Sequence, residues 1–358
     1  MNGVIIIFAF MADTHLGTKL NNTDQLKSLD MFLGLIKQHK EECHCIFVCG
    51  DLFDHRLTIE EARFASLFLI NLVCNNCGRN GRTHVPVHFI HGTYTHDYEQ
   101  YGIYLPILNK IDNTEVFYTK EPCVGKLNNG SSVLYLPQTY GDDIDYNSFL
   151  NDNTKYDIII GHGPISSLTK SPCKSTNQEI VHSTDLLGRV SKICVFGHYH
   201  GYTDFGNNVY YAGPWLTWRY NEEEQRKFFL CNDNFEVETQ LNPFAMVFKT
   251  IEIENPEQLR EIISTDITTP HRFVIKPENV DLETYHSIMS INKKNTNISF
   301  KMIQSVDDNI ETKPLIQTNH VDNGVGPIES LITYIKDKYD IDTTDEIMEY
   351  NDKITKVI

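Results

Sequence analysis

The run Ile46-Phe47-Val48-Cys49, followed at once by Gly50-Asp51-Leu52-Phe53-Asp54, constrains this chain more than any other stretch. Apolar residues in unbroken succession read as a strand buried on both faces, the kind found in parallel sheets covered by helices. Ligands in open α/β sheets bind beyond the carboxyl ends of such strands, and Asp51 falls there. Gly50 permits a sharp turn, and the two carboxylates Asp51 and Asp54 can share a cation or divide into a ligand and an orienting group. The same residues would also make an ordinary turn rich in Gly and Asp, so the rest of the chain decides.

The pattern recurs. Val4–Met11 reads as a first core strand and runs into Ala12-Asp13-Thr14-His15-Leu16-Gly17, where alternation on a chain leaving a strand would point Asp13 and His15 to one side. A helical stripe from Asp24 to His39 (Leu26, Leu29, Phe32, Leu33, Ile36) then completes a β-α-β unit with the strand before Asp51. A second helix is expected over Ile59–Val73, a strand over Val85–Ile90 that ends in His91-Gly92-Thr93-Tyr94-Thr95-His96-Asp97, and a third helix over Gln100–Lys110. Strand-like pieces flank Asn129-Gly130, a hairpin dipeptide. Tyr156–Ile160 ends in Gly161-His162-Gly163, and Lys192–Phe196 ends in Gly197-His198-Tyr199-His200; polar Ser166–Gln178 between them reads as a surface loop. Antiparallel hairpins are expected from Tyr202 to Glu238, and two mixed sheets packed as an α/β sandwich would accommodate all of these strands.

Five strand ends thus carry Asp13 and His15, Asp51, the His91–Asp97 segment, His162, and His198 with His200. A single Gly-His after a strand is usually structural, but five such ends bearing Asp and His are not coincidence. Imidazole and carboxylate together suit two adjacent cations of the Mn, Fe or Zn kind rather than the oxygen cages of Ca or Mg. Cys74-Asn75-Asn76-Cys77 has zinc-knuckle spacing without a second pair and is not read as a metal site.

Composition sets the surroundings. With 358 residues the chain holds one large α/β domain and a smaller one, and Val4–Met11 is too short to span a bilayer, so no membrane association is expected. Nine scattered cysteines, several in apolar runs, suit free thiols in a reducing cytoplasm, a host's cytoplasm for a viral protein. A formal charge of −17 argues against nucleic-acid binding by global electrostatics, yet a site holding two cations supplies its own positive charge. Near Pro243 the pattern shifts to strand, helix, strand, helix, strand over Val247–Ile253, Pro256–Ser264, Arg272–Lys276, Leu282–Ile291 and Ile298–Ile303. Polar residues to Gly326 read as a linker, and Ile328–Lys338 and Thr344–Val357 as two amphipathic helices.

Asp-Thr-His, Gly-Asp-Leu-Phe-Asp, His-Asp, Gly-His and Gly-His-Tyr-His, in this order, resemble the calcineurin-like metallophosphoesterase superfamily over about the first 240 residues. Asp13-Thr14-His15-Leu16-Gly17 and Gly50-Asp51-Leu52-Phe53 are similar, more particularly, to the nuclease subunits of double-strand-break repair complexes, SbcD-type and phage recombination endonucleases among them. The resemblance implies a four-layer α-β-β-α sandwich over residues 1–242, a small α/β capping domain over 243–304, a linker over 305–326 and a helical partner-binding segment over 327–358. It implies that Asp13, His15 and His200 bind one metal, that His162 and His198 bind the other, and that Asp51 bridges them. Manganese is the expected ion, with Mg, Fe or Zn as alternatives. His96, its ring oriented by Asp97, would contact the phosphate and protonate the leaving oxygen, with Asp54 supporting the ligands from behind. The family usually reads Gly-Asn-His-Asp. Counting back from His96-Asp97 puts Thr95 at the Asn position, with His91 as a substitute ligand and a weaker second metal as the consequence. The implied function is a DNA exonuclease or endonuclease that works as a homodimer with an SMC-like coiled-coil ATPase. A phosphatase or cyclic phosphodiesterase on the same core, or a catalytically silent interaction subunit, are the alternatives.

Overall fold

The computed structural model describes residues 6–18, 22–38, 43–77, 84–139, 154–165, 190–218, 222, 224–232, 234–252, 271–276 and 298–302. By its internal contacts the chain divides into two units, Met1–Gln304 and Ser305–Ile358, and every described residue belongs to the first.

The continuous apolar runs become the centres of two sheets. In the first, β1 (Ile6–Met11), β2 (Cys45–Cys49), β3 (Val87–Ile90) and β4 (Val116–Thr119) are parallel neighbours, and β11 (Lys227–Asn232) and β12 (Val237–Leu241) extend it antiparallel beyond β1. In the second, β6 (Ser132–Leu136), β7 (Tyr156–His162), β8 (Val190–Gly197) and β10 (Val209–Tyr211) are parallel, edged by antiparallel β5 (Cys123–Lys126) and β9 (Thr203–Asp204). Parallel pairs need crossovers, and helices α1 (Asn22–Gln38), α2 (Ile59–Val73) and α4 (Tyr101–Leu108) supply those of the first sheet. The second helical layer of the expected four is not among the described residues.

Side-chain alternation along each strand separates the cores. From β1, Ala9 and Met11 face the helices with Phe32, Phe68 and Leu72, whereas Phe8 and Phe10 face the second sheet with Tyr135, Ile160 and Val195. His88 on β3 crosses that interface to the Tyr135 hydroxyl at 2.7 Å, and burial holds its ring down at about 4, so it stays neutral there. α2 begins where its sequence says it should: Thr58 caps the Glu61 amide while the Glu61 carboxylate receives the Thr58 amide, a capping box.

Beyond the sandwich, β13 (Val247–Glu252), β14 (His271–Lys276) and β15 (Ile298–Met302) form a separate parallel sheet in sequence order. These are the three strands expected after Pro243. The two helices expected between them, the linker and the terminal helix pair lie outside the described residues.

Candidate metal centre

Past the ends of β1 and β2 the two chains stay zipped together: the Asp13 amide donates to Gly50 O, His15 to Asp51 O, Leu16 to Leu52 O, and Asp54 back to Leu16 O. This continuation of the ladder carries the β1 and β2 loops side by side over the carboxyl edge of the sheet. Asp13, His15 and Asp51 sit at φ of 51°, 48° and 48°, and His198 at 102°. The left-handed region is costly for residues with a side chain, so four candidate ligands occupying it is backbone strain concentrated at a site. The extended alternation expected for Asp13 and His15 is therefore corrected: they converge because both residues are kinked. Gly50, at φ +79°, leaves room for the His162 ring, which a Cβ there would strike.

Two sets of donor atoms gather, each within 4.8 Å: Asp13, His15 and His200 in one, Asp51, His162 and His198 in the other. A third set, His15, Asp54 and His96, overlaps the first. His15 Nε2 and His200 Nε2 lie 3.2 Å apart. His162 Nε2 lies 3.3 Å from Asp51 Oδ2, while its Nδ1 donates to Cys49 O at 2.7 Å, which fixes the tautomer that leaves Nε2 as donor atom. Asp13 is fully buried; its Oδ1 accepts from the His198 amide at 2.8 Å, and its Oδ2 has no hydrogen-bond partner. A buried carboxylate oxygen without a partner is rare and costly unless something positive meets it, so this donor set fits a divalent cation.

The electrostatics agree. Burial opposes ionisation of Asp51, yet His162 beside it holds that carboxyl well below the usual range. Burial equally opposes charge on His162, and Asp51 outweighs it and carries His162 up to about 9. His198 is pushed down to about 3 by burial and by His162. Asp13 is raised by burial, which the neighbouring histidines only partly offset. A cation entering the second group must therefore displace a proton from His162.

Asp54 stands behind the first group. Its Oδ1 lies 3.2 Å from His15 Nδ1 and its Oδ2 3.1 Å from His55 Nδ1; despite burial these partners hold it at about 2. His96 is turned by the Asp54 main chain, its Nδ1 donating to the carbonyl at 2.6 Å, with its ring 4.7 Å from that of His15. Asp97 does not orient His96. It is fully buried and accepts from the Phe53 amide at 3.1 Å and the Gly92 amide at 2.6 Å, tying the β2 and β3 loops together. His91 is likewise occupied elsewhere, its two ring nitrogens at Gly92 O and Tyr98 O, 2.9 and 3.0 Å away.

The Asn position also needs correction. Thr95 is exposed on a one-turn helix, α3 (Tyr94–Asp97), whereas Thr93 reaches the second group. Its amide donates to Asp51 Oδ1 at 2.5 Å, its hydroxyl to Asp51 Oδ2 at 3.1 Å, and the same hydroxyl lies 3.5 Å from His162 Nε2. Counting back from His96-Asp97 fails because α3 inserts a turn between Thr93 and His96. We expect Thr93→Asn to tighten Mn binding at the second group about tenfold, by adding an amide oxygen where a hydroxyl stands, and Thr95→Ala to change nothing. Calorimetric Mn titration of the two variants checks both.

A model of the calcineurin-like phosphoesterase family matches residues 6–202, more than half of the chain, and the chain belongs to that family. No curated protein matches it. Fold, family and donor groups together make this a metal-dependent phosphoesterase site. It opens on a cavity of about 520 Å³ lined by Asp51, Thr93, His96, His198, Tyr199 and His200, and also by Glu222, Glu224 and Arg226. Those last three carried no motif in the sequence. No helix among the described residues is long and apolar enough to cross a membrane.

Proposed function

We propose that the protein is a metal-dependent DNA phosphodiesterase, the exonuclease and endonuclease subunit of a recombination and double-strand-break repair complex. The observation that carries the hydrolytic part is the meeting of the Asp13-His15-His200 and Asp51-His162-His198 groups at one cavity, with His96 beside them. The DNA part rests on the likeness of Asp13–Gly17 and Gly50–Phe53 to repair nucleases.

The Asp13-His15-His200 and Asp51-His162-His198 groups would hold two divalent ions, manganese in our reading, which would supply Lewis acidity and a nucleophile at neutral pH. Asp51, with both oxygens held by Thr93, lies beside His162 of the second group, and its main-chain carbonyl accepts from the His15 amide of the first, so its carboxylate would help to hold the ions. With Nδ1 of His96 donating to Asp54 O, the proton that this ring exchanges is on Nε2, and we assign it to the leaving oxygen.

A second copy and an SMC-like coiled-coil ATPase are the partners we propose, the latter through residues 327–358, in the cytoplasm. Ile59, Leu67 and Ile70 on α2 and Ile103 and Ile107 on α4 are exposed, and we assign the contact with a second copy to these helices. The test is Mn-dependent degradation of end-labelled duplex DNA set against hydrolysis of p-nitrophenyl phosphate. Cleavage of DNA is the expected result. Turnover of the monoester alone would replace this reading with a phosphatase on the same core.

A further inference from the structure

The last motif of the family match ends near Gly201, yet the first donor group is not held by the matched stretch alone. We infer that Glu222 is a positioning residue for His200, and that Thr217, Trp218, Glu222 and Arg226 together form a clasp that sets the geometry of the first metal group.

The contacts all run one way. Glu222 Oε1 accepts from His200 Nδ1 at 2.5 Å; a carboxylate can only accept, so the imidazole proton is on Nδ1 and Nε2 is left to face His15. Glu222 is itself fixed, because Oε2 receives the Trp218 amide at 2.8 Å and Arg226 Nη2 at 2.7 Å. Arg226, buried at the foot of β11, sends Nη1 to the His200 carbonyl and Nε to Thr217 Oγ1 at 3.4 Å. Thr217 in turn donates to Met246 O at 2.7 Å. Trp218 Nε1 donates to Asp13 O at 3.1 Å, and its ring lies edge-on to His15, centroids 5.8 Å apart. The clasp thus touches every member of the first group: the ring and carbonyl of His200, the carbonyl of Asp13 and the ring of His15. Each of these hydrogen bonds that meets a candidate ligand ends on the first group.

A carboxylate behind a ligating histidine fixes ring orientation and raises its basicity, and removing such a partner costs about 10 to 100-fold in metal affinity. Glu222 holds this position by geometry, and Arg226 keeps it from rotating into the cavity that both residues line. The inference rests on the phosphoesterase reading of the site and not on DNA as substrate, so loss of the nuclease reading would leave it standing.

The test compares full-length wild type, Glu222→Gln and Trp218→Phe. It uses Mn titration followed by paramagnetic resonance, thermal melting of the metal-free protein, and imidazole ¹⁵N spectra. Glu222→Gln keeps the size and an acceptor oxygen but loses the charge. We expect its tighter or weaker Mn step, whichever belongs to the first group, to weaken at least about tenfold while the other step holds. In the spectra, the His200 Nδ1–H signal should lose its strong-hydrogen-bond shift with the His162 signals unmoved. Trp218→Phe, which removes the bond to Asp13 O and shrinks the ring beside His15, should weaken the same step severalfold. Equal weakening of both steps together with a lowered melting temperature would make the clasp merely structural and overturn the inference. Unchanged Mn binding with an unchanged His200 signal would overturn it as well.

Discussion

Asp51→Asn is expected to cut phosphodiester hydrolysis by roughly a thousandfold, the upper end of what losing one electrostatic stabiliser costs, while the protein still folds. The asparagine oxygen can still accept from the Thr93 amide, so the loop contact at 2.5 Å survives in kind. What disappears is the charge. Without it His162, now carried up to about 9 by Asp51, should titrate markedly lower in the metal-free variant, because burial then acts unopposed by its nearest anion. The histidine titration followed by NMR therefore separates loss of charge from loss of fold. A variant that remains inactive while His162 still titrates near 9 would show that Asp51 does not act through this pair.

Gly92→Ala is expected to be the most damaging single-methyl change among the described glycines. A Cβ on Gly92 would overlap the Asp51 amide nitrogen and crowd Asp51 Oδ1 and the Gly50 carbonyl carbon, and backbone cannot step aside as a flexible side chain can. The Gly92 amide is also the donor that anchors Asp97, so moving it loosens the brace between the β2 and β3 loops. We expect a loss of about 3 kcal/mol or more in a denaturant titration, together with failure to bind the second Mn ion. Gly102→Ala is the matched control, since nothing stands within 4 Å of its added carbon. Wild-type stability in Gly92→Ala would contradict the close packing of the two loops.

The fold was legible where local and tertiary preferences agree. α2 spans Ile59–Val73 as its periodicity says, because its start is marked by a capping box and its apolar stripe meets the first sheet. The six Asp and His residues that the structure draws into two groups were visible because parallel strands place their ends on one edge, so Asp and His just after apolar runs must meet. Thr95 was put at the Asn position in place of Thr93 because a short polar segment, Tyr94–Asp97, forms one helical turn that no periodicity announces. Asp97 looked like a partner for His96 on adjacency alone, whereas the backbone turns its carboxylate inward to two amides. Glu222 and Arg226 were silent for another reason: they reach His200 by folding back from β11, a contact across 22 and 26 residues with no repeat or motif to mark it.

The central claim is that two cations share this site, and Mn titration of the wild-type protein followed by electron paramagnetic resonance tests it most directly. Two donor groups, with the Asp51 side chain in the second and its main-chain carbonyl bonded to the His15 amide of the first, predict two Mn ions per chain and an exchange-coupled pair signal that replaces the isolated six-line spectrum as the second ion enters. Saturation at one ion per chain, or two ions that remain magnetically isolated, would contradict the account.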